Sequence, residues 1–378
     1  MQTIINKRSS LIAAIVLGNA GLLMIYFLPL SVGAVDELYT LSEIQKGFFG
    51  ASDLIGYSLA SLSAFFWIRK VNWKTMALIC IAILVLGNVL SVWATSFNNL
   101  VALRIFTGLG QGIAVSIAIT LFGDSDHTDR NFAIFLILSL LVGVFGLPFL
   151  PGLVETMGPK PIFLTQLFFA VLAIPFVIWG LPKKGLDYEV NTSGGKLAIP
   201  VILGLLGILV LYIGYGGLWV LVERFGDFSG LPADTIAKSL SASLFVGIFA
   251  LLIPIVLEDK LGRLLPVGLS LLSLIVFALL LFLDTSATGY LIAVCAGNFG
   301  INVILPYITG VIDQLDDTGK GVVLVTPMYA IGVTLGPIVL ALFITENSTS
   351  PAGYAAAGFF LISLIIFFSI MSYKNKID

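Results

Sequence analysis

Charge is scarce in this sequence. It has 19 basic and 21 acidic residues in 378, or 11%. Soluble globular chains are about a quarter charged, so these residues cannot coat a water-exposed surface of this size. A net charge of −2 leaves no basic footprint, and no nucleic-acid partner is expected. His127 is the single histidine. Cys80 and Cys295 both lie in apolar runs, which excludes a disulfide framework. The sequence has no Walker loop, no His-Glu-x-x-His pair and no Ser-His-Asp set, so ATP-driven pumping and enzymatic hydrolysis are not expected, nor is a cofactor or metal. Gly108-Leu-Gly110-Gln-Gly112 imitates a dinucleotide loop, but it sits inside an apolar run with no strand before it.

Apolar residues are abundant instead, at 58%, with a mean hydropathy of +1.09. Runs of about 20 apolar residues, broken by short polar clusters, read as membrane helices. Twelve are expected, near 9–35, 44–68, 75–95, 98–123, 132–156, 162–181, 197–222, 235–257, 264–283, 288–312, 321–345 and 352–372. These runs are too long, and alternate too little, for the strands of a β-barrel. The first is too long for a cleaved signal and is read as a retained helix.

Basic residues set orientation. With the N-terminus inside, the cytoplasmic loops hold Lys7, Arg8, Arg69, Lys70, Lys74, Arg130, Lys183, Lys184, Lys196, Lys260, Arg263, Lys320, Lys374 and Lys376, fourteen of the nineteen. Both termini are then cytoplasmic, and the chain is an all-α, multi-pass protein of the cytoplasmic (inner) membrane with the lipid bilayer as its solvent. The longest polar stretch, 182–196, separates residues 1–181 from 197–378, six spans on each side. Such internal repetition is a signature of secondary transporters.

The halves share punctuation. Arg69-Lys70-Val71-Asn72-Trp73-Lys74 follows the second span, and Glu258-Asp259-Lys260-Leu261-Gly262-Arg263 follows the eighth. Gly143, Gly146 and Pro148 in the fifth span echo Gly332, Gly336 and Pro337 in the eleventh. Small residues four apart allow close helix approach, and proline loosens the helix. Together these features resemble the major facilitator superfamily. Asp259-Lys260-Leu261-Gly262-Arg263 is similar to that family's Asp-Arg/Lys-x-Gly-Arg loop, with Ile255 in place of the leading glycine. Arg104-Ile-Phe-Thr-Gly108-Leu-Gly110-Gln-Gly112 is similar to the Arg-x-x-x-Gly-x-Gly-x-Gly of its fourth helix. Gly332-x-x-x-Gly336-Pro337 resembles the antiporter motif of drug exporters, though in span eleven. In the first-half loop, Arg69 stands where the family has an acid and Asn72 where it has glycine. The resemblance implies two six-helix bundles that work as a monomer by alternating access, with Asp259, Lys260, Gly262 and Arg263 as a conformational latch. Plain positive-inside topology with a tight glycine turn is the alternative for that loop.

Few ionisable residues fall inside spans, where a charge costs at least ~2.5–3.5 kcal/mol. Asp53 is about nine residues, ~14 Å, into the second span, and Arg104 about six residues, ~9 Å, into the fourth. Both spans enter from the same side, so the two can pair and offset each other's desolvation. Burial disfavours a charged carboxylate and a nearby guanidinium favours it. Proton binding at such a site follows whether Arg104 is near. Asp53 is therefore read as a proton carrier and Arg104 as its partner or a substrate anchor; the alternative is a static ion pair. Glu223, at the outer end of span seven, is a rival proton site. His127, in Asp124-Ser-Asp126-His127-Thr-Asp129-Arg130, is read as part of a solvated turn capping the fifth helix.

Polar and aromatic residues at helical spacing are candidates to line a substrate cavity. They are Asn19 and Tyr26 in span one, Tyr57 in span two, Gln111 in span four, Tyr212, Tyr215 and Trp219 in span seven, and Asn298 and Asn302 in span ten. Tyr and Trp suit an amphipathic solute. The function expected is proton-coupled secondary transport of a small organic, amphipathic solute, in the direction of export. Uptake or exchange of a small organic anion is the alternative, followed by a channel or an intramembrane enzyme or lipid scramblase.

Overall fold

The computed structural model describes residues 2–186, 197–257, 260, 262–316, 320–345 and 347–374. Among these the chain is helical, and its one β feature is an isolated bridge between Thr345 and Ser348. It divides into two compact units, Met1–Thr40 with Ser52–Glu189, and Leu41–Ala51 with Val190–Asp378.

The first unit contains α1 (Gln2–Ile5), α2 (Arg8–Leu22), α3 (Met24–Tyr39), most of α4 (Glu43–Trp67), α5 (Trp73–Val92), α6 (Phe97–Gly123), α7 (Thr128–Gly146), α8 (Leu150–Met157) and α9 (Lys160–Gly180). The second contains α10 (Ile199–Phe228), α11 (Ala233–Leu257), α12 (Leu264–Leu283), α13 (Ala287–Leu315), α14 (Lys320–Ala341) and α15 (Ser350–Lys374). Eleven helical segments are long and apolar enough to cross a membrane, among them Arg8–Tyr39, which joins α2 and α3, and Arg130–Met157, which joins α7 and α8. The remaining long helix is α4. Ser52, Asp53, Ser58, Ser61 and Ser63 dilute its apolar character.

Local chemistry sets the helix ends. Asn72 Oδ1 accepts from the backbone N–H groups of Lys74 and Thr75 to start α5. Ser96 and Ser286 cap α6 and α13 in the same way. Exposed Asp284 accepts from Ser286, side chain and backbone, and those hydrogen bonds hold its carboxyl below the usual range. In the fifth expected span, Gly146-Leu147-Pro148 does more than loosen the helix. The chain tightens into a 3-10 turn over Leu147–Phe149 before α8 begins, because Pro148 has no N–H to continue the ladder.

Pairings recur between the units. α2 packs on α9 as α10 packs on α15; α5 packs on α6 and α9 as α12 packs on α13 and α15. In the first unit Trp73, Phe122 and Phe135 sit in one buried apolar cluster. Glycines set the closest approaches. A Cβ at Gly108 would strike the Asp53 carbonyl oxygen, and one at Gly56 would strike that of Ile105. One at Gly112 would strike the Tyr57 carbonyl oxygen. α4 and α6 therefore run backbone to backbone. In the second unit Gly332 and Gly336 of α14 lie against the α10 backbone near Leu209, Ile213 and Gly217.

Two segments depart from the sequence-based expectation. Residues 182–186, expected as the start of a polar linker, are strapped to the first unit. Trp73 N–H donates to Lys183 O at 2.7 Å, Arg69 Nη1 donates to Leu186 O at 2.8 Å, and Leu186 N–H donates to Asp124 Oδ2 at 2.9 Å. Residues 187–196 lie outside the described residues. Secondly, α10 runs on past residue 222 to Phe228. Its last turns are held by Arg224, whose Nη2 donates to Glu43 at 2.7 Å and whose Nη1 donates to Asp227 at 2.6 Å.

Gly108→Leu should wedge α4 from α6 and cost ~1–3 kcal/mol or more, as overpacking does. Thermal unfolding in detergent should show a lowered midpoint. An unchanged midpoint would mean that the contact is not tight.

Candidate functional site

The α4–α6 contact places Asp53 and Arg104 side by side. Arg104 Nε donates to Asp53 Oδ2 at 2.8 Å and Nη2 to Oδ1 at 2.6 Å, a two-pronged ion pair. Asp53 is 1% exposed and Arg104 0%. Gly87 of α5 lets Thr107 of α6 come close, and this brings Asn88 into reach. Asn88 Oδ1 accepts from Arg104 Nη1 at 2.9 Å, while its own amide N–H donates to Leu84 O at 2.8 Å. From α9, Gln166 Oε1 accepts from Arg104 Nη2 at 2.8 Å. The Phe163 ring centroid lies 5.0 Å from the guanidinium carbon. Gln111 Nε2 donates to Asp53 Oδ1 at 2.8 Å.

Four of the five Arg104 N–H groups are thus engaged, on three acceptor residues from three helices. The Asp53 oxygens accept three hydrogen bonds. The two charges are compensated inside one unit. A carboxylate offers about four acceptor positions, and Arg104 and Gln111 occupy three of them at Asp53. Among the described residues no group of three or more His, Cys, Asp or Glu could hold a metal. Cys80 and Cys295 are free thiols.

Gln111, expected among the cavity residues, is instead committed to Asp53 and buried. Asn19 is buried; its Nδ2 turns back to Ile15 O at 2.9 Å, and its Oδ1 has no hydrogen-bond partner. Tyr26 is half-buried and Tyr57 buried. In the second unit Tyr212 meets Tyr329 edge to face at 4.5 Å, and Tyr215 stacks on Trp219 at 6.3 Å. Trp219 and Tyr212 are buried, Tyr215 and Glu223 half-buried. Asn298 Nδ2 donates to Ser243 Oγ at 2.9 Å, and Asn302 Nδ2 donates to Asn298 O at 2.8 Å.

Of the expected latch, Asp259 lies outside the described residues. Gly262 adopts φ +64°, the left-handed turn that glycine favours. The Arg263 guanidinium lies over Gly310 of α13, where a Cβ would collide with it. Lys260 Nζ donates to Val256 O at 3.3 Å. Gly143 is buried; Gly146 and Pro148 are half-buried, with Gly146 against the Phe27 ring. Pro337 and Gly336 are buried beside α10, and Gly47 of α4 lies against Pro337 O.

Sequence reasoning missed Asn88 and Gln166. Their signal was a lone amide in each of two strongly apolar runs. It also read Asp124 as part of a solvated turn. His127 is exposed and stands at the α7 N-cap with no side-chain capping bond. Asp124, however, is buried and pairs with Arg69 Nη1 at 2.6 Å. The partner acid of Arg69 thus comes from the end of α6.

Arg104→Leu leaves the Asp53 carboxylate buried without its counter-ion, and breaking such a pair costs ~3–5 kcal/mol. Circular dichroism melts of the purified protein should show marked destabilisation, largely reversed in the double variant Asp53→Asn/Arg104→Leu. Equal loss in both would mean that the charges are not coupled.

A family model described as Major Facilitator Superfamily matches residues 9–316. The chain is 26% identical over 302 residues to YtbD, an uncharacterized MFS-type transporter of Bacillus subtilis (strain 168), covering 76% of this chain and 74% of that one. Its fold matches the crystal structure of the nucleoside transporter NupG with a TM-score of 0.72 at 13% identity, over 96% of this chain and 99% of that one. It matches a D-xylose-proton symporter with a TM-score of 0.71 at 14% identity, over 94% and 96% of the two chains. At such identities the structural likeness speaks for the fold. The family match spans most of the sequence, and the chain belongs to the Major Facilitator Superfamily of membrane transporters.

Proposed function

We propose that the protein is a proton-coupled secondary transporter that exports a small organic, amphipathic solute across the cytoplasmic membrane by alternating access. α4 is the twelfth span in this reading, both termini are cytoplasmic, and one chain suffices. The observation that carries it is the Asp53–Arg104 pair, a carboxylate and a guanidinium sealed within an apolar bundle. Ionisable residues at such depth are expensive and mark ion or proton pathways. Asp53 takes the proton when the pair opens, and Arg104 returns to it when the proton leaves. The stacked Tyr215 and Trp219, with the Tyr212–Tyr329 pair, supply flat apolar faces for the solute. Within the first unit Asn19 and Tyr26, and within the second Asn298 and Asn302, are the hydrogen-bonding candidates. Glu223 is the second candidate for the proton, and the loop carrying Gly262 and Arg263 is the latch. The fold is shared with a D-xylose-proton symporter, which supports proton coupling by likeness.

The alternative, an organic-anion carrier with Arg104 as carboxylate anchor, asks more of the site. Arg104 already has four N–H groups occupied and would have to abandon them.

The test begins with a thermal-stabilisation screen of amphipathic solutes on purified protein. The stabilising solute is then followed in reconstituted vesicles under an imposed pH gradient. Wild type should accumulate it against its own gradient. Asp53→Asn should lose that accumulation by at least tenfold while retaining solute counterflow. Accumulation by Asp53→Asn equal to wild type would remove Asp53 as the proton carrier.

A further inference from the structure

We propose that the side-chain oxygen of Asn19 is a solute-binding acceptor, and that the exported solute carries an N–H or O–H donor which seats on it. This rests on the protein being a solute transporter and adds one chemical feature of its solute. Asn19 lies in α2, within the first unit, and is 7% exposed. Its Nδ2 donates to Ile15 O at 2.9 Å, and its Oδ1 has no hydrogen-bond partner. Chemistry fixes which end of the amide is which. Ile15 O can only accept, so it must face the NH2 group, and the end left over is an acceptor. Asn88 is the contrast: its Oδ1 takes Arg104 and its Nδ2 is given to Leu84 O, so both ends are used.

The neighbours of α2 show that this oxygen is not on a packing face. Gly18 and Gly21 mark the face that touches α6, where a Cβ at Gly18 would meet Ala118 and one at Gly21 would meet Gln111 O. Ser10 and Ala13 mark the face that touches the end of α9. Ser10 Oγ donates to Gly180 O at 3.0 Å, and a Cβ at Gly180 would meet Ala13. At ~100° per residue, Asn19 is turned ~100° from Gly18, ~160° from Gly21, ~120° from Ala13 and ~180° from Ser10. The backbone also yields just beyond it. α2 ends at Leu22, and although Leu23 N–H still reaches Asn19 O at 3.1 Å, Tyr26 N–H bonds Leu23 O, three residues back instead of four. Interrupted membrane helices are where transporters place their solutes. A buried acceptor left unmade costs free energy that an apolar side chain at the same place would not. What the position gains is discrimination. A solute donor that meets Oδ1 recovers the loss, and an analogue without the donor does not. A solute presenting only acceptors, such as a carboxylate, is disfavoured there.

The experiment uses amphipathic probe pairs that differ by one methyl group: 2-naphthol with 2-methoxynaphthalene, and indole with N-methylindole. Each probe is titrated against the full-length protein in detergent, and its dissociation constant is read from thermal stabilisation. Wild type should bind the donor-bearing member of a pair about tenfold more tightly, the scale of one buried acceptor satisfied. Asn19→Leu keeps the volume and removes the acceptor, and it should bind both members alike. Asn19→Ala does the same with a smaller side chain, should Leu crowd the site. Partition of a probe into detergent is common to all the proteins, so the readout is the change in the ratio between them. Each variant is confirmed as folded by a cooperative thermal transition. A tenfold ratio that persists in the folded variants would overturn the inference. So would equal binding of both members by wild type, the absence of binding included. Both results leave pH-driven accumulation by wild-type vesicles, and the transporter reading with it, standing. Failure of that accumulation is a separate result, which overturns the transporter reading whatever the ratios.

Discussion

A carboxylate and a guanidinium buried in an apolar bundle must find each other, and in this chain the helices are arranged so that they do. Asp53 and Arg104 can meet in two-pronged geometry because Gly56, Gly108 and Gly112 let α4 and α6 run backbone to backbone. Gly87 does the same for α5 at Thr107 and brings Asn88 into reach. α9 closes the site with Gln166 and Phe163. One electrostatic requirement thus ties together four helices that apolar packing alone would hold with little orientational preference, since lipid tails are as apolar as the side chains between helices.

In the proposed function the pair opens and re-forms. The desolvation cost and the mutual attraction of a buried ion pair are both large and oppose each other. A proton on the carboxylate removes the attraction at a stroke. Arg104 also has neutral acceptors behind it, on Asn88 and Gln166. In the proposed function this is the site that takes the proton, with alternating access as the motion it biases.

Much of this was legible in the sequence. Eleven of the expected spans were, because about twenty apolar residues between polar clusters have few other solutions. The pairing was, because two charges at compatible depth on helices entering from one side have nowhere else to go. The fourth-helix glycines were legible as a motif, and their packing partner appeared only with the fold. Asn88 and Gln166 were not legible, since a single amide in an apolar helix can as readily bond its own backbone, as Asn19 does with Ile15. Gln111 shows the same limit. Its helical face was evident, but its commitment to Asp53 depends on how closely α4 approaches. Asp124 was misread because acids clustered in a loop are usually solvated, and nothing in the local sequence announces that Arg69, 55 residues earlier, returns to it. The strap formed by residues 182–186 was hidden for the same reason, as its partners are backbone atoms.

The central claim is that binding of the proposed solute and protonation of Asp53 are coupled. Its most direct test is a pH recording of weakly buffered, detergent-solubilised wild-type protein as the transported solute is added. The account predicts release of protons in proportion to the protein present, largest near the pH at which Asp53 is half protonated and absent in Asp53→Asn. Solute binding that moves no protons at any pH would contradict it.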